Sequence, residues 1–326
     1  MKNIFFNKHT GLAVAALFLM TNCDESIDRD NLPIPYASIG GYENSDEIAS
    51  ANLVTKLSFE DNLADKTNNV TSPVPVGVEY TAGIKGKAYN GSSSSEKYAV
   101  ANVSDAITGL NAFTISFWMN SANTVAPGSS PGQGKGAQGI FSIVRPTEFW
   151  GGINVFIENP DDNFPNRIRL KLGVENGRSG VVWRGQSLIM NIDDKKNTWF
   201  HVTMTYDPAS SKVSAYINGE SATNLNGFAY APAEGATGSA TWYADNPGGI
   251  DNPNNAPGYG VFQMVGTNGK MVLGNHQFET DPPLNNGSHQ DWATSYAGKL
   301  DEFRIYNIAL KSSDVLALYK LEKDNR

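Results

Sequence analysis

The side chains able to do chemistry in this chain of 326 residues are few. Its four histidines, His9, His201, His276 and His289, show no metal-ligand spacing, and there is no Gly-x-Ser-x-Gly, no His-Glu-x-x-His and no cysteine nucleophile motif. Glycosidic cleavage would need two carboxylates flanking the bond, seen on one strand as acids at alternating positions. Glu158-Asn-Pro-Asp161-Asp162 comes nearest, but Pro160 breaks a strand there, and Asp193-Asp194 among lysines reads as a turn. No catalytic set is identified. Asp301 shares its phase with Phe303 and Ile305, and Asp61 with Leu57 and Phe59, so both are expected to point inward. An inward carboxylate is costly unless paired, hydrogen-bonded or bound to a metal. Asp61 and Asp301 are therefore candidate ligands of a structural Ca2+, a hard cation that takes oxygen donors. The alternative is that Asp301 accepts backbone N–H bonds and Asp61 merely follows the strand end.

Aromatic faces beside planar polar groups are the chemistry of sugar binding. Trp118 and Trp199 lie in strand patterns and read as structural. Trp150, Trp183, Trp242 and Trp292 fall in or near loops, with Tyr243 and Tyr259 close by and Asp245, Asp251, Asn275, His289 and Asp291 as polar partners. Trp242-Tyr243 leads this set, because adjacent aromatics stand in a Pro- and Gly-rich insertion spanning 220–260. The competing reading makes such residues plugs that close the ends of a core.

The elements that must position these groups are strands. From Trp199 to Gly219, Phe200, Val202, Met204 and Tyr206 alternate with polar residues, Asp207 to Ser211 turn the chain, and Val213, Ala215 and Ile217 resume the alternation. Such a hairpin must bury its apolar face against a second sheet. Ala112–Met119 repeats the pattern, with Trp118 on the other face. Further strands are expected at 53–59, 98–103, 140–145, 152–157, 167–174, 181–190, 271–275 and 297–306. The only convincing helix is Leu310–Leu321, capped by Ser312 or Ser313, with Val315, Leu318 and Tyr319 as its stripe. The fold class is all-β: a two-sheet antiparallel sandwich with a short C-terminal helix.

A formal net charge of −8 argues against a nucleic acid or an anionic membrane surface as partner. The first 22 residues place a short basic start before an apolar run from Leu12 to Met20, too short to span a bilayer. With Cys23 as the single cysteine, Leu19-Met20-Thr21-Asn22-Cys23 resembles a bacterial lipoprotein signal, which implies lipidation at Cys23 and attachment to a membrane through that lipid only. The acidic residues after Cys23 resemble the export tag of surface lipoproteins in Bacteroides-like bacteria. In other Gram-negative bacteria an aspartate there resembles an inner-membrane retention signal. The outer surface is favoured, and the expected organisation is signal peptide 1–22, acidic tether 23–50 and one domain 51–326.

The order of motifs also carries a resemblance. Leu57-Ser-Phe-Glu-Asp-Asn-Leu-Ala-Asp65, Gly83-Ile-Lys-Gly-Lys-Ala88, Phe113-Thr-Ile-Ser-Phe-Trp118, Trp199 to Asp207, Tyr216-Ile-Asn-Gly219 and Gly298 to Asn307 together resemble the laminin-G-like, concanavalin A-like jelly roll of bacterial surface lipoproteins. The resemblance implies that first and last strands lie close together, which would bring Asp61 and Asp301 near one cation. It also implies a polysaccharide or glycan as partner, with outer-membrane glycan-uptake proteins beside it. The fold hosts several functions, so a carbohydrate-active enzyme and a protein-adhesion module stand as alternatives.

Overall fold

Alternating residues divide between two faces as the pattern requires. In the strand Phe113–Asn120, Phe113, Ile115 and Phe117 enter the core, while Trp118 turns outward to stack on Tyr319, ring centroids 5.5 Å apart. The computed structural model describes residues 37–124, 126–127, 134–160, 163–175, 177, 185–223, 225–226, 238–244 and 255–326.

Two antiparallel sheets face each other. The first runs, edge to edge, Glu220–Ser221, Lys212–Ile217, Phe200–Asp207, Phe113–Asn120, Lys299–Tyr306, Lys87–Asn90 and Glu79–Ala82. Leu53–Leu57 also pairs with Lys299–Tyr306, and Ser239–Thr241 with Lys212–Ile217. The second runs Leu225–Asn226, Gly185–Ile192, Ile168–Glu175, Ile153–Ile157, Ala137–Ile143, Lys270–Leu273, Tyr98–Val103 and Val70–Val76, with Ala293–Ser295 parallel to Ala137–Ile143. Between them lies one core, in which Phe117 and Phe141 both pack on Phe303. This is the two-sheet sandwich with a short C-terminal helix that the alternation predicts.

The outer face of the first sheet is covered by the helix Ser312–Lys323, which buries Val315, Ala317, Leu318 and Leu321. Lys311 stands at its N-cap, and neither Ser312 nor Ser313 supplies a side-chain cap. Beneath the helix lies a buried ionic cluster. Arg304 donates from Nε to Glu322 Oε1 (2.8 Å), from Nη1 to Asp46 Oδ1 (2.8 Å) and from Nη2 to Glu302 Oε2 (2.9 Å) and Ser45 Oγ (3.0 Å). Lys56 Nζ lies 3.0 Å from Glu302 Oε2, and Trp118 Nε1 donates to Glu322 Oε2 at 2.8 Å. Burial opposes ionisation of Asp46, but hydrogen bonds from Lys56 and Lys66 and the Arg304 charge hold its carboxyl below the usual range. Residues 38–50, expected in the tether, therefore belong to the domain, with Ser45 and Ile48 buried.

Removing one member of a buried ionic set leaves the other charges without compensation, at about 3–5 kcal/mol. Arg304→Met is expected to lower the unfolding free energy in urea by that amount. A loss below about 1 kcal/mol, the value of an exposed pair, would contradict this account.

Candidate functional site

The outer face of the second sheet carries the polar groups. Val155 and Ile157 on one strand, and Leu170, Leu172 and Val174 on the next, point to the core. The same alternation sends Asn154 and Phe156, and Lys171, Gly173 and Glu175, to the opposite face. Gly173 leaves open space there, since a Cβ at that position would meet nothing within 4 Å. Lys171 Nζ lies 2.9 Å from Glu158 Oε1 and 5.4 Å above the Phe156 ring. Asn154 Oδ1 accepts from Ser142 Oγ (2.9 Å) and from the Gly151 amide (3.1 Å), fastening the loop above the strand.

That loop brings aromatic rings onto the sheet. Trp150 stacks on Phe156 at 5.3 Å and 13°, and its centroid lies 6.2 Å from that of Trp292. Phe149 stacks on Phe278 at 4.3 Å, and His276 backs Phe278 at 4.8 Å. Gln277 Nε2 donates to the carbonyls of Arg145, Glu148 and Phe149 at 3.2, 2.8 and 3.0 Å, and Asn285 Nδ2 donates to the Glu148 carbonyl at 2.8 Å. The rings are thus held before any ligand arrives. Phe149 is 37% exposed and Trp150 and Trp292 are half-buried, while Phe156, His276 and Phe278 lie underneath. Burial pushes the His276 imidazole down to about 3, so it packs as a neutral ring at ordinary pH.

Of the residues expected to bind sugar, Trp150 and Trp292 come together here. Asp291 is exposed beside Trp292, and His289 is 46% exposed with Nδ1 4.0 Å from Glu279 Oε2. Trp242 and Tyr259 stand elsewhere. Trp242 is fully buried and stacked on Tyr206 at 4.9 Å, and Tyr259, 1% exposed, donates its amide to the Trp242 carbonyl. The reason is pairing: Ser239–Thr241 joins the first sheet as an edge strand and carries Trp242 into the core as a plug. Tyr243, half-buried, makes an isolated bridge to Gly258. Cys23, Trp183, Asp245 and Asp251 lie outside the described residues. Phe149, Phe156, His276 and Phe278 were not anticipated from the sequence; the Phe149-Trp150 doublet was the available signal.

The candidate calcium pair does not fit a cation. The count that sent Asp301 inward assumes unbroken alternation, but Glu302 has φ 46° and the register shifts between Asp301 and Arg304. This bulge pairs Asp301 with Trp118, on the outer face. Asp301 Oδ2 accepts from the amides of Ile84 (2.8 Å) and Lys85 (3.0 Å), and Oδ1 from that of Glu302 (2.8 Å). A Cβ at Gly83 would overlap Oδ2, so glycine permits the close approach. Three N–H groups present their positive ends where a cation would sit. Asp61 is exposed with φ 56°, and among the described residues no group of three His, Cys, Asp or Glu side chains could hold a metal ion. The inward acid near the first strand is instead Asp65, which accepts from the amides of Lys56, Asn69 and Val70 at 2.7–2.9 Å.

Two further groups of acids bear on chemistry. The Glu158 amide donates to the Arg169 carbonyl, and Glu175 lies six positions further along that strand, about 20 Å away at ~3.3 Å per residue. A two-carboxylate glycosidase needs roughly 5–9.5 Å, so these two acids do not form such a pair. Beside the aromatic loop, Arg145 Nη1 lies 3.9 Å from Glu175 Oε2, and Nη2 lies 3.9 Å from Glu148 Oε1. Burial pushes the Glu175 carboxyl up to about 8, with Arg145 opposing and Glu148 adding. A separate cleft of about 540 Å³ is lined by Thr205, Lys212, Tyr216, Ile308 and Lys311. Tyr216, its aromatic, is buried in the helix layer, so the cleft offers no exposed ring.

Because the Glu175 carboxyl in the folded state stands above its ordinary 4.5, its stabilising effect is full below about pH 4.5 and is lost as pH rises through about 8. Wild-type protein is therefore expected to lose stability in urea between pH 6 and pH 9, and Glu175→Gln to lose less. An identical slope in both would contradict the assignment.

No protein in a search of curated proteins matches this chain. Among solved structures, domain 4 of AbnA, a GH43 extracellular arabinanase from Geobacillus stearothermophilus in complex with arabinotriose, is similar at 19% identity and a TM-score of 0.44, over 82% of this chain and 98% of that one. The binding domain of Paraclostridial Mosquitocidal Protein 1 aligns at 19% identity and a TM-score of 0.46, over 82% of this chain and 52% of that one. The botulinum neurotoxin serotype D binding domain aligns at 13% and 0.49, over 86% and 53%. The chain thus spans about half the length of either toxin domain. Residues 93–258, just over half of the chain, match the sequence profile of a family described as Concanavalin A-like lectin/glucanases superfamily. The chain belongs to the concanavalin A-like lectin/glucanase superfamily.

Proposed function

We propose that this chain is a cell-surface carbohydrate-binding module that takes a polysaccharide or glycan on the outer face of its second sheet. The observation that carries this reading is the platform of Phe149, Trp150 and Trp292, partly exposed, with the loop of Phe149 and Trp150 already fixed by Gln277 and Asn285. Sugar rings present C–H faces that pack on aromatic faces, and polar groups at the edge set orientation. A platform held rigid in the free protein spends little of its binding energy on ordering side chains. In this reading lipid on Cys23 anchors the domain to the outer membrane, facing outward, and the module passes glycan to outer-membrane uptake proteins.

Phe149→Ala and Trp292→Ala are each expected to weaken retention on the bound polysaccharide about tenfold in affinity electrophoresis, with circular dichroism unchanged. Retention unaltered in both variants would overturn the platform. Cys23→Ser is expected to move the protein from the membrane fraction to the soluble fraction, and an unchanged distribution would remove the anchor from the proposal.

A further inference from the structure

Arg145 and Glu175 are 3% and 6% exposed, and each carries a buried polar atom, Nη1 and Oε2, with no hydrogen-bond partner among the described residues. These are the two atoms that lie 3.9 Å apart. That distance is too long for a direct hydrogen bond, yet one oxygen about 2.8 Å from each would bridge them. Leaving both unsatisfied costs free energy, so the gap is a place for a ligand oxygen. The guanidinium cannot swing away to find another partner, because Nε donates to the Val265 carbonyl at 2.8 Å. Its backbone is held too: the Arg145 amide donates to Gln277 Oε1 at 2.8 Å, and its carbonyl accepts from Gln277 Nε2. Toward solvent the group ends at Glu148, whose side chain is 45% exposed and adjoins Phe149 of the platform.

We infer that Arg145, Glu175 and Glu148 form a hydroxyl-reading subsite at the end of the aromatic platform, taking two neighbouring hydroxyls of an uncharged sugar residue. One hydroxyl accepts from Arg145 Nη1 and bonds Glu175 Oε2; the second donates to Glu148. A sugar carboxylate is disfavoured in the same place, since the Glu148 carboxylate stands beside it and already shares the Arg145 charge. This inference rests on the carbohydrate-binding reading and deepens it: the platform accepts a ring face, and the subsite selects which ring.

The test is a panel of immobilised neutral gluco-, galacto-, manno-, xylo- and arabino-oligosaccharides with uronate oligosaccharides, probed with wild type, Glu175→Gln, Arg145→Lys, Glu148→Gln and Trp292→Ala. Thermal unfolding confirms the fold of each, and the near-isosteric Glu175→Gln serves if Arg145→Lys fails to fold. The expected result is wild-type binding to neutral glycans over uronates, weakened about tenfold or more by Glu175→Gln and by Arg145→Lys. If wild type binds and Trp292→Ala loses binding while Glu175→Gln and Arg145→Lys bind as before, the gap holds only water and the subsite is overturned while the platform stands. Preference for uronates overturns the hydroxyl assignment. If wild type binds no member of the panel, the carbohydrate reading falls and the subsite with it.

Discussion

The structure depends on one guanidinium. Arg304 sits on the outer face of the first sheet and ties Asp46 near the start of the domain, Glu302 on its own strand and Glu322 on the last helix. Hydrophobic burial would favour many placements of a short amphipathic helix over a sheet. A fully buried charge with three anionic partners tolerates only one, because any shift strands a charge in a medium of low polarity. Burial works against ionised Glu322 and raises its carboxyl, with Arg304 pulling it back, so the cluster contributes positional definition more than raw stability.

This division of labour explains where the candidate site lies. On the first sheet the outer face is occupied: Trp118 and His201 pack against Tyr319 of the helix, and burial keeps the His201 imidazole neutral by pushing it down to about 3. The outer face of the second sheet receives loops in place of a helix. Loops carry the half-buried rings and leave Arg145 Nη1 and Glu175 Oε2 without a hydrogen-bond partner among the described residues, and both features serve recognition better than stability. The rigidity of the platform's loop comes from side-chain amides: Gln277 and Asn285 between them make five contacts to the carbonyls of one short loop.

Much of the scaffold was legible, because alternation over eight residues reports a half-buried strand whatever its partners. The hairpin of Phe200–Asp207 with Lys212–Ile217, the strand Tyr98–Val103 and the final helix stand where periodicity places them. The same reasoning failed at Asp301, since a bulge with Glu302 at positive φ puts Asp301 out of phase with Phe303 and Ile305, and glutamate gives no warning of it. It failed at Trp242 for another reason. A run of Ser-Ala-Thr has no strong strand signal, and its pairing with Lys212–Ser214 is a long-range event that turns an apparent loop tryptophan into core.

The local order of apolar and polar residues was enough to set the class of fold, the number of layers and the acidic character of the surface, because each depends on short-range periodicity or on composition. Which aromatics meet was settled elsewhere. Phe149, Trp150 and Phe156 approach Phe278 and Trp292 only after a strand near residue 140 pairs with strands near 155 and 272, across more than a hundred residues. The gap between Arg145 and Glu175 likewise exists only in three dimensions, since it is defined by distance and burial, and neither is a property of a sequence position.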